Sequence, residues 1–140
     1  MTSIEKNIIE ETLYLKAELL ENEQALLCTM KKDYIPMQYF QDSFRNMGEF
    51  IKKNPVKKFI FDKTSLRVFH QASMEWYHVV WKKEMALYGL KTYRKILPDL
   101  AYFKMSVNLG RERIKKNNPD FKFEDYDIQY CNSVQDALEK

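Results

Sequence analysis

The side chains best placed to do chemistry in this sequence lie between Asp62 and Ser73. Thr64, Ser65 and Ser73 supply hydroxyls, Asp62 a carboxylate, and His70 a group that titrates near neutral pH. On paper Ser73, His70 and Asp62 form a Ser/His/Asp set, but any chain of this size offers one and only geometry can qualify it. The segment also leads into a helix start, where free N–H groups favour an anion. Ser73 reads as the N-cap of that helix, its oxygen accepting from a first-turn N–H. Leu66, Val68 and Phe69 pull the other way, since they would fold back on a core.

Other constellations are sparse. Cys28, Cys131, His70 and His78 would make a four-ligand zinc site only if the fold gathered them, because no paired-cysteine spacing is present. Two small, half-buried strand cysteines in a reducing compartment are the simpler reading. No phosphate-cradling glycine loop, nucleophile elbow or His-Glu-x-x-His helix occurs, and the chain holds only 3 glycines. We therefore expect no catalytic residue, no metal and no cofactor. Trp76, Tyr77, Trp81 and Tyr88 crowd one helix. They either pack it on a sheet and against a neighbour such as a second subunit, or line an apolar-ligand pocket. Lys82-Lys83 and the run Arg111, Arg113, Lys115 and Lys116 read as solvated helix faces, with a phosphate or membrane patch as the other reading.

The elements that must carry these residues follow from periodicity. Leu13, Leu15, Ala17 and Leu19 alternate as one face of a strand, and residues 24–30 pair back on it as an antiparallel hairpin. Residues 1–11 read as a frayed lead-in or a short helix. Pro36 opens a helix whose apolar stripe is Met37, Phe40, Phe44, Met47 and Ile51, and Asn54-Pro55 closes it. The unbroken Phe59-Ile60-Phe61 predicts a central strand over 57–62, covered on both faces. A helix over 73–88 carries Met74, Tyr77, Trp81, Met85 and Tyr88, with Gly89 as its stop. A strand over 91–97, a helix after Pro98-Asp99, a strand around Tyr126–Tyr130 and a helix capped by Ser133 complete the chain. The predicted fold class is α/β. A mixed, mostly parallel sheet carries an N-terminal antiparallel hairpin, in the order β-β-α-β-α-β-α-β-α.

Length and composition agree. The 140 residues and 16.9 kDa amount to one domain, and 45% hydrophobic against 31% charged residues is a globular balance. The net charge of +3 is mild and both signs are interspersed, so no nucleic-acid partner is demanded. No apolar run approaches the roughly 20 residues of a membrane span. The first residues lack a signal-peptide pattern, so a cytoplasmic location is expected.

The hairpin, Phe59-Ile60-Phe61-Asp62, Ser73-Met74-Glu75-Trp76, Phe103-Lys104-Met105-Ser106 and the closing Tyr130-Cys131-Asn132-Ser133-Val134-Gln135-Asp136-Ala137-Leu138 resemble the small STAS-like bacterial proteins. These are single domains similar to the sporulation anti-anti-sigma factor, and the resemblance spans residues 12–139. It implies a mixed sheet with helices packed on it, no cofactor, and a non-enzymatic regulatory or protein-interaction role in signalling. In that family a serine or threonine at the start of the helix after the central strand is phosphorylated by a partner kinase. The stretch from Asp62 to Ser73 holds the corresponding place. The family's compact Asp-Ser-Ser/Thr-Gly turn is replaced here by a longer loop running from Lys63 to Ala72. The expectations are thus a lead-in over 1–11 and one STAS-like domain over 12–140, forming a homodimer. Asp62, Thr64, Ser65, His70 and Ser73 are expected to form a switch or partner-binding set. Trp76, Tyr77, Trp81 and Tyr88 are expected to form a dimer contact or apolar pocket. A small apolar-ligand or lipid binder is the alternative.

Overall fold

Ile8-Ile9-Glu10-Glu11 forms an edge strand, β1 (Ile8–Glu11), in the computed structural model, which describes residues 7–140. This corrects the expected lead-in: its last residues belong to the sheet, and residues 1–6 lie outside the described ones. An edge strand needs only one partner, so a short segment with charges at Glu10 and Glu11 suffices, and those charges discourage further pairing. β1 runs antiparallel to β2 (Leu15–Leu20), with a register irregularity between Ile8 and Glu10. β2 pairs antiparallel with β3 (Ala25–Met30) from Leu15↔Met30 to Leu20↔Ala25. The turn between them closes through Gln24, which takes a left-handed φ of 50°. Leu15 and Ala17 are buried as the alternation predicts, whereas Leu13 precedes the strand and is 63% exposed.

From β3 onward the strands are parallel: β4 (Lys58–Asp62), β5 (Thr92–Ile96) and β6 (Asp127–Tyr130) follow in sheet order β1-β2-β3-β4-β5-β6. The protein is therefore α/β, with a six-stranded mixed sheet, an antiparallel start and parallel strands after it. Helix α1 (Met37–Lys53) links β3 to β4 and ends before Pro55. Helix α2 (71–86) links β4 to β5, and α3 (Ala101–Asn117) links β5 to β6. Right-handed crossovers that all step in one direction place their helices on one face. One core accordingly joins Phe40 and Phe44 of α1, Tyr77 and Trp81 of α2, and Phe103 and Ile114 of α3 to Phe59, Phe61 and Tyr93 of the sheet.

The last helix, α4 (Val134–Glu139), covers the opposite face, where Ala137 packs with Ala25, Leu27, Ile60 and Ile96. Its start is capped as the sequence predicts, with the Asp136 N–H donating to Ser133 Oγ at 3.0 Å. β4 lies between β3 and β5, and Phe59, Ile60 and Phe61 are all fully buried, so the strand is central and covered on both faces.

Helix α2 begins at Gln71, two residues before the expected Ser73 cap, with His70 as N-cap and no side-chain capping bond. Its middle, Tyr77–Lys82, is wound as a π-helix between α-helical segments Gln71–Trp76 and Lys83–Ala86. Gly89 follows with φ 92°, the left-handed conformation that suits glycine at a helix end.

Candidate functional site

The loop after β4 is tied down at both ends. The Asp62 carboxylate accepts from the Thr64 N–H at 3.0 Å and from the Thr64 hydroxyl, forming a tight local turn. Leu66 is fully buried and anchors the middle, while the Arg67 N–H donates to the Asp33 carbonyl at 2.9 Å. Phe69 packs edge-on against Phe40 at 5.5 Å between ring centroids. Thr64, Ser65 and His70 stay exposed. His70 and Ser73 come together, with Nδ1 3.4 Å from Oγ, but Asp62 bonds to Thr64 and not to His70.

Ser73 itself is fully buried inside the helix, which corrects the cap reading. A phosphate could reach its hydroxyl only if the helix start opened. Ser73→Glu should therefore lower stability by several kcal/mol, about the cost of burying an unpaired carboxylate. An unchanged thermal midpoint would contradict that placement.

The aromatic residues of α2 divide between two environments. Tyr77 and Trp81 face the sheet and are buried, and Trp81 Nε1 donates to the Phe44 carbonyl at 2.7 Å. Trp76 is half-buried with the Arg45 guanidinium 5.5 Å from its ring centroid. Tyr88 is 48% exposed, in company with Val80 and Leu87. Tyr77 and Trp81 are thus core, and because the helix ends at Ala86, before the expected residue 88, Leu87 and Tyr88 stay exposed in the turn after it.

A different apolar face is exposed on α3. Tyr102, Met105 and Leu109 follow at helical spacing and are 55%, 64% and 60% exposed, and Val68 of the loop is 56% exposed. Two shallow depressions beside them, of about 90 and 300 Å³, are lined by residues including Arg67 and Arg113 and by no carboxylate. α3 sits close to α2 here: a Cβ on Gly110 would come within 2.7 Å of Gln71 Oε1.

The interior behind this face is basic. Lys63, His78, Lys82 and Lys95 are all fully buried, which corrects the reading of Lys82 as solvated. In the π-helical turn His78 and Lys82 are both directed inward with Tyr77 and Trp81. Lys95 points to the same side of β5 as Tyr93 and meets His78, with Nζ 3.4 Å from Nε2. Lys82 Nζ lies 4.2 Å from the Tyr93 ring centroid and 4.9 Å from that of Tyr77. Lys63 Nζ lies 4.7 Å from the ring centroids of both Phe61 and Phe69. Among the described residues, neither Lys63 Nζ nor Lys82 Nζ has a hydrogen-bond partner.

Aromatic faces attract a cation, but they do not replace lost hydration. Burial accordingly pulls Lys63 down to about 7, and it holds Lys82 and Lys95 well below the usual lysine range. Burial, followed by the fields of Lys82 and Lys95, likewise depresses His78. Burial also pushes the Cys28 thiol and the Tyr77 and Tyr93 hydroxyls up.

The sequence reading missed this cluster because a period of 3.6 places Lys82 off the apolar stripe. The π turn carries it inward. Lys63 and Lys95 sit beside Asp62 and Arg94 in sequence, where alternation alone marks which side each takes.

Among the described residues no three His, Cys, Asp or Glu side chains gather as a metal site would require. Cys28 belongs to the core under α1–α3, and Cys131 to the core under α4, on opposite sides of the sheet. No helix of the described residues is long and apolar enough to cross a membrane. Comparison with protein-family models and with curated proteins finds no match to this chain.

Proposed function

We propose that this chain is a non-enzymatic regulatory or protein-interaction domain of STAS-like type, acting in the cytoplasm, and that it receives its partner on the face shared by α3 and the 63–70 loop. The observation that carries this reading is the exposed stripe of Tyr102, Met105 and Leu109 with Val68 beside it. Scattered apolar residues on a surface are ordinary, but a contiguous set next to a pinned loop is a recognition surface. Its rim supplies Arg67 and Arg113 without a carboxylate, so the complementary partner is an amphipathic segment with apolar anchors and acidic flanks. The arrangement favours a protein over a lipid. The two depressions hold about 90 and 300 Å³ and are shallow, at or below the low end of the roughly 300–1,000 Å³ of enclosed small-molecule sites.

Self-association belongs to the same proposal: Val80 of α2, with Leu87 and Tyr88 of the turn after it, leaves exposed apolar surface for a second copy. Peptide display on the wild-type domain, with counter-selection on Met105→Glu, tests the main reading. Met105 is 64% exposed, so this substitution should change stability by less than about 0.5 kcal/mol. Enriched peptides should carry apolar residues three or four apart among Asp and Glu, and lose binding to the variant. Equal enrichment on both proteins, or lipid carried by the purified protein in native mass spectrometry, would overturn it.

A further inference from the structure

Beyond the ends of β5 and β6 lies an open cleft of about 580 Å³ bordered by Leu97, Asp99, Lys104, Asn108, Tyr130 and Asn132. It is distinct from the α3 and loop face described above, and its volume suits a small ligand. One wall is α3 at Lys104 and Asn108, and Arg111 and Lys115 continue the same side of the helix beyond the cleft at spacings of three and four. Arg111 reaches across to the floor, with Nη1 donating to the Tyr130 hydroxyl at 3.1 Å. Under that floor is Lys95, whose Nζ is 5.9 Å from the Tyr130 ring centroid and fully shielded from solvent. At the mouth, Asp99 is paired with Lys104 at 3.1 Å.

The charged groups acting on Lys95 are Lys82, Lys63 and Arg111, all of them basic. His78 is its hydrogen-bond neighbour, and Phe123 lies between His78 and Arg111, edge-on to the imidazole at 5.0 Å between centroids and with the guanidinium 4.5 Å from its own ring centroid. A sheet interior gains nothing from such a collection of bases without an anion. Apolar side chains of the same volume would fill the space without the desolvation cost. The Tyr130 hydroxyl on Arg111 is a neutral oxygen in the position where a charged one would bind more strongly.

We propose that this cleft receives a small ligand bearing a phosphate-like oxyanion, whose head replaces the Tyr130 hydroxyl on Arg111 and pairs with Lys95. The ligand body then lies along Asn108, Leu97 and Asn132. Because an adjacent anion favours the charged amine, binding takes up a proton from solvent on the Lys95–His78 pair.

Sulfate is the probe, since it does not itself titrate in the working range. It is titrated into the full chain by calorimetry at about pH 8, at fixed ionic strength, in two buffers of different ionisation enthalpy. The wild type should show saturable binding with net proton uptake. Lys95→Met and Arg111→Gln should each weaken it by roughly tenfold or more. Lys95→Met replaces a buried base with an apolar chain of similar length and should fold, and Arg111→Gln changes a half-exposed residue; melting curves confirm both. Absence of saturable binding to the wild type, unchanged affinity in either variant, or binding without proton uptake would each overturn the proposal.

Discussion

Raising the pH from about 7 to about 9 should make this protein more stable, where most domains are at or past their optimum. Lys63, Lys82 and Lys95 fold into sites that disfavour the ammonium, and Lys63 is drawn down to about 7. In the unfolded chain all three remain protonated throughout this range. The unfolded state therefore binds more protons, and stability rises with pH by about 1.4 kcal/mol per pH unit for each lysine that folds neutral.

The sign follows from a base whose folded pKa is depressed. Its penalty is absent above the unfolded value of 10.5, grows as the pH falls, and is complete below the folded value near 7. Above about 9 the rise should slacken and, at about 10, reverse, because Cys28, Tyr77 and Tyr93 are held protonated by burial and must ionise on unfolding while the unfolded lysines begin to lose their protons. Urea midpoints measured across the window check this. Lys63→Met should flatten the slope by about one proton. A wild-type midpoint that is level or falls between those limits would mean that the interior lysines fold charged.

Ile60→Asp should leave no folded protein. Ile60 is fully buried on the α4 face, between Leu27 and Arg94 on the flanking strands and in the same core as Ala137. The neighbouring cation, Arg94, is already held by the Tyr93, Asp127 and Lys140 carbonyls and the Asp127 carboxylate, and burying a carboxylate beside it costs several kcal/mol on top of the lost apolar contact. Total domain stability is only about 5–15 kcal/mol. Circular dichroism on heating should show no cooperative transition. Ile60→Val, which keeps the apolar surface, should fold with a loss of about 0.5–1.5 kcal/mol. A cooperative melt for the aspartate variant would remove β4 from the centre of the sheet.

The core was legible where one physical rule dominates. Phe59-Ile60-Phe61 could only be a strand buried on both sides, and the stripe from Phe40 to Ile51 could only be a helix facing a sheet. Ser133 and Gly89 marked their helix ends through capping and backbone freedom. β1 was illegible because an edge strand draws its stability from its neighbour and not from its own pattern. The start of α2 was missed because Ser73 looks like a cap but is buried by tertiary packing. The interior bases escaped for a related reason. Nothing local distinguishes Lys82, fully buried, from its exposed neighbour Lys83; the π turn separates them. The position of the loop after β4 was legible, but the exposed apolar side of α3 next to it was not. There Phe103, Val107 and Ile114 recur at helical spacing and face the core, and they account for only one of the helix's two apolar sides.

The strand order has a consequence for assembly on the ribosome. Each strand pairs with its immediate predecessor in the chain, so no early strand waits for a distant one, and the sheet can lengthen as synthesis proceeds. The three crossover helices arrive with it and cover one side at once. The other side is covered by α4, whose six residues are translated after every strand. Until they emerge, Leu27, Ile60 and Ile96 face water on an otherwise finished sheet. The nascent domain is then a half-covered layer, open to chaperones or to a second nascent chain. Its closing contacts, Lys58 Nζ to the Ala137 and Leu138 carbonyls and Arg94 to the Lys140 carbonyl, form last.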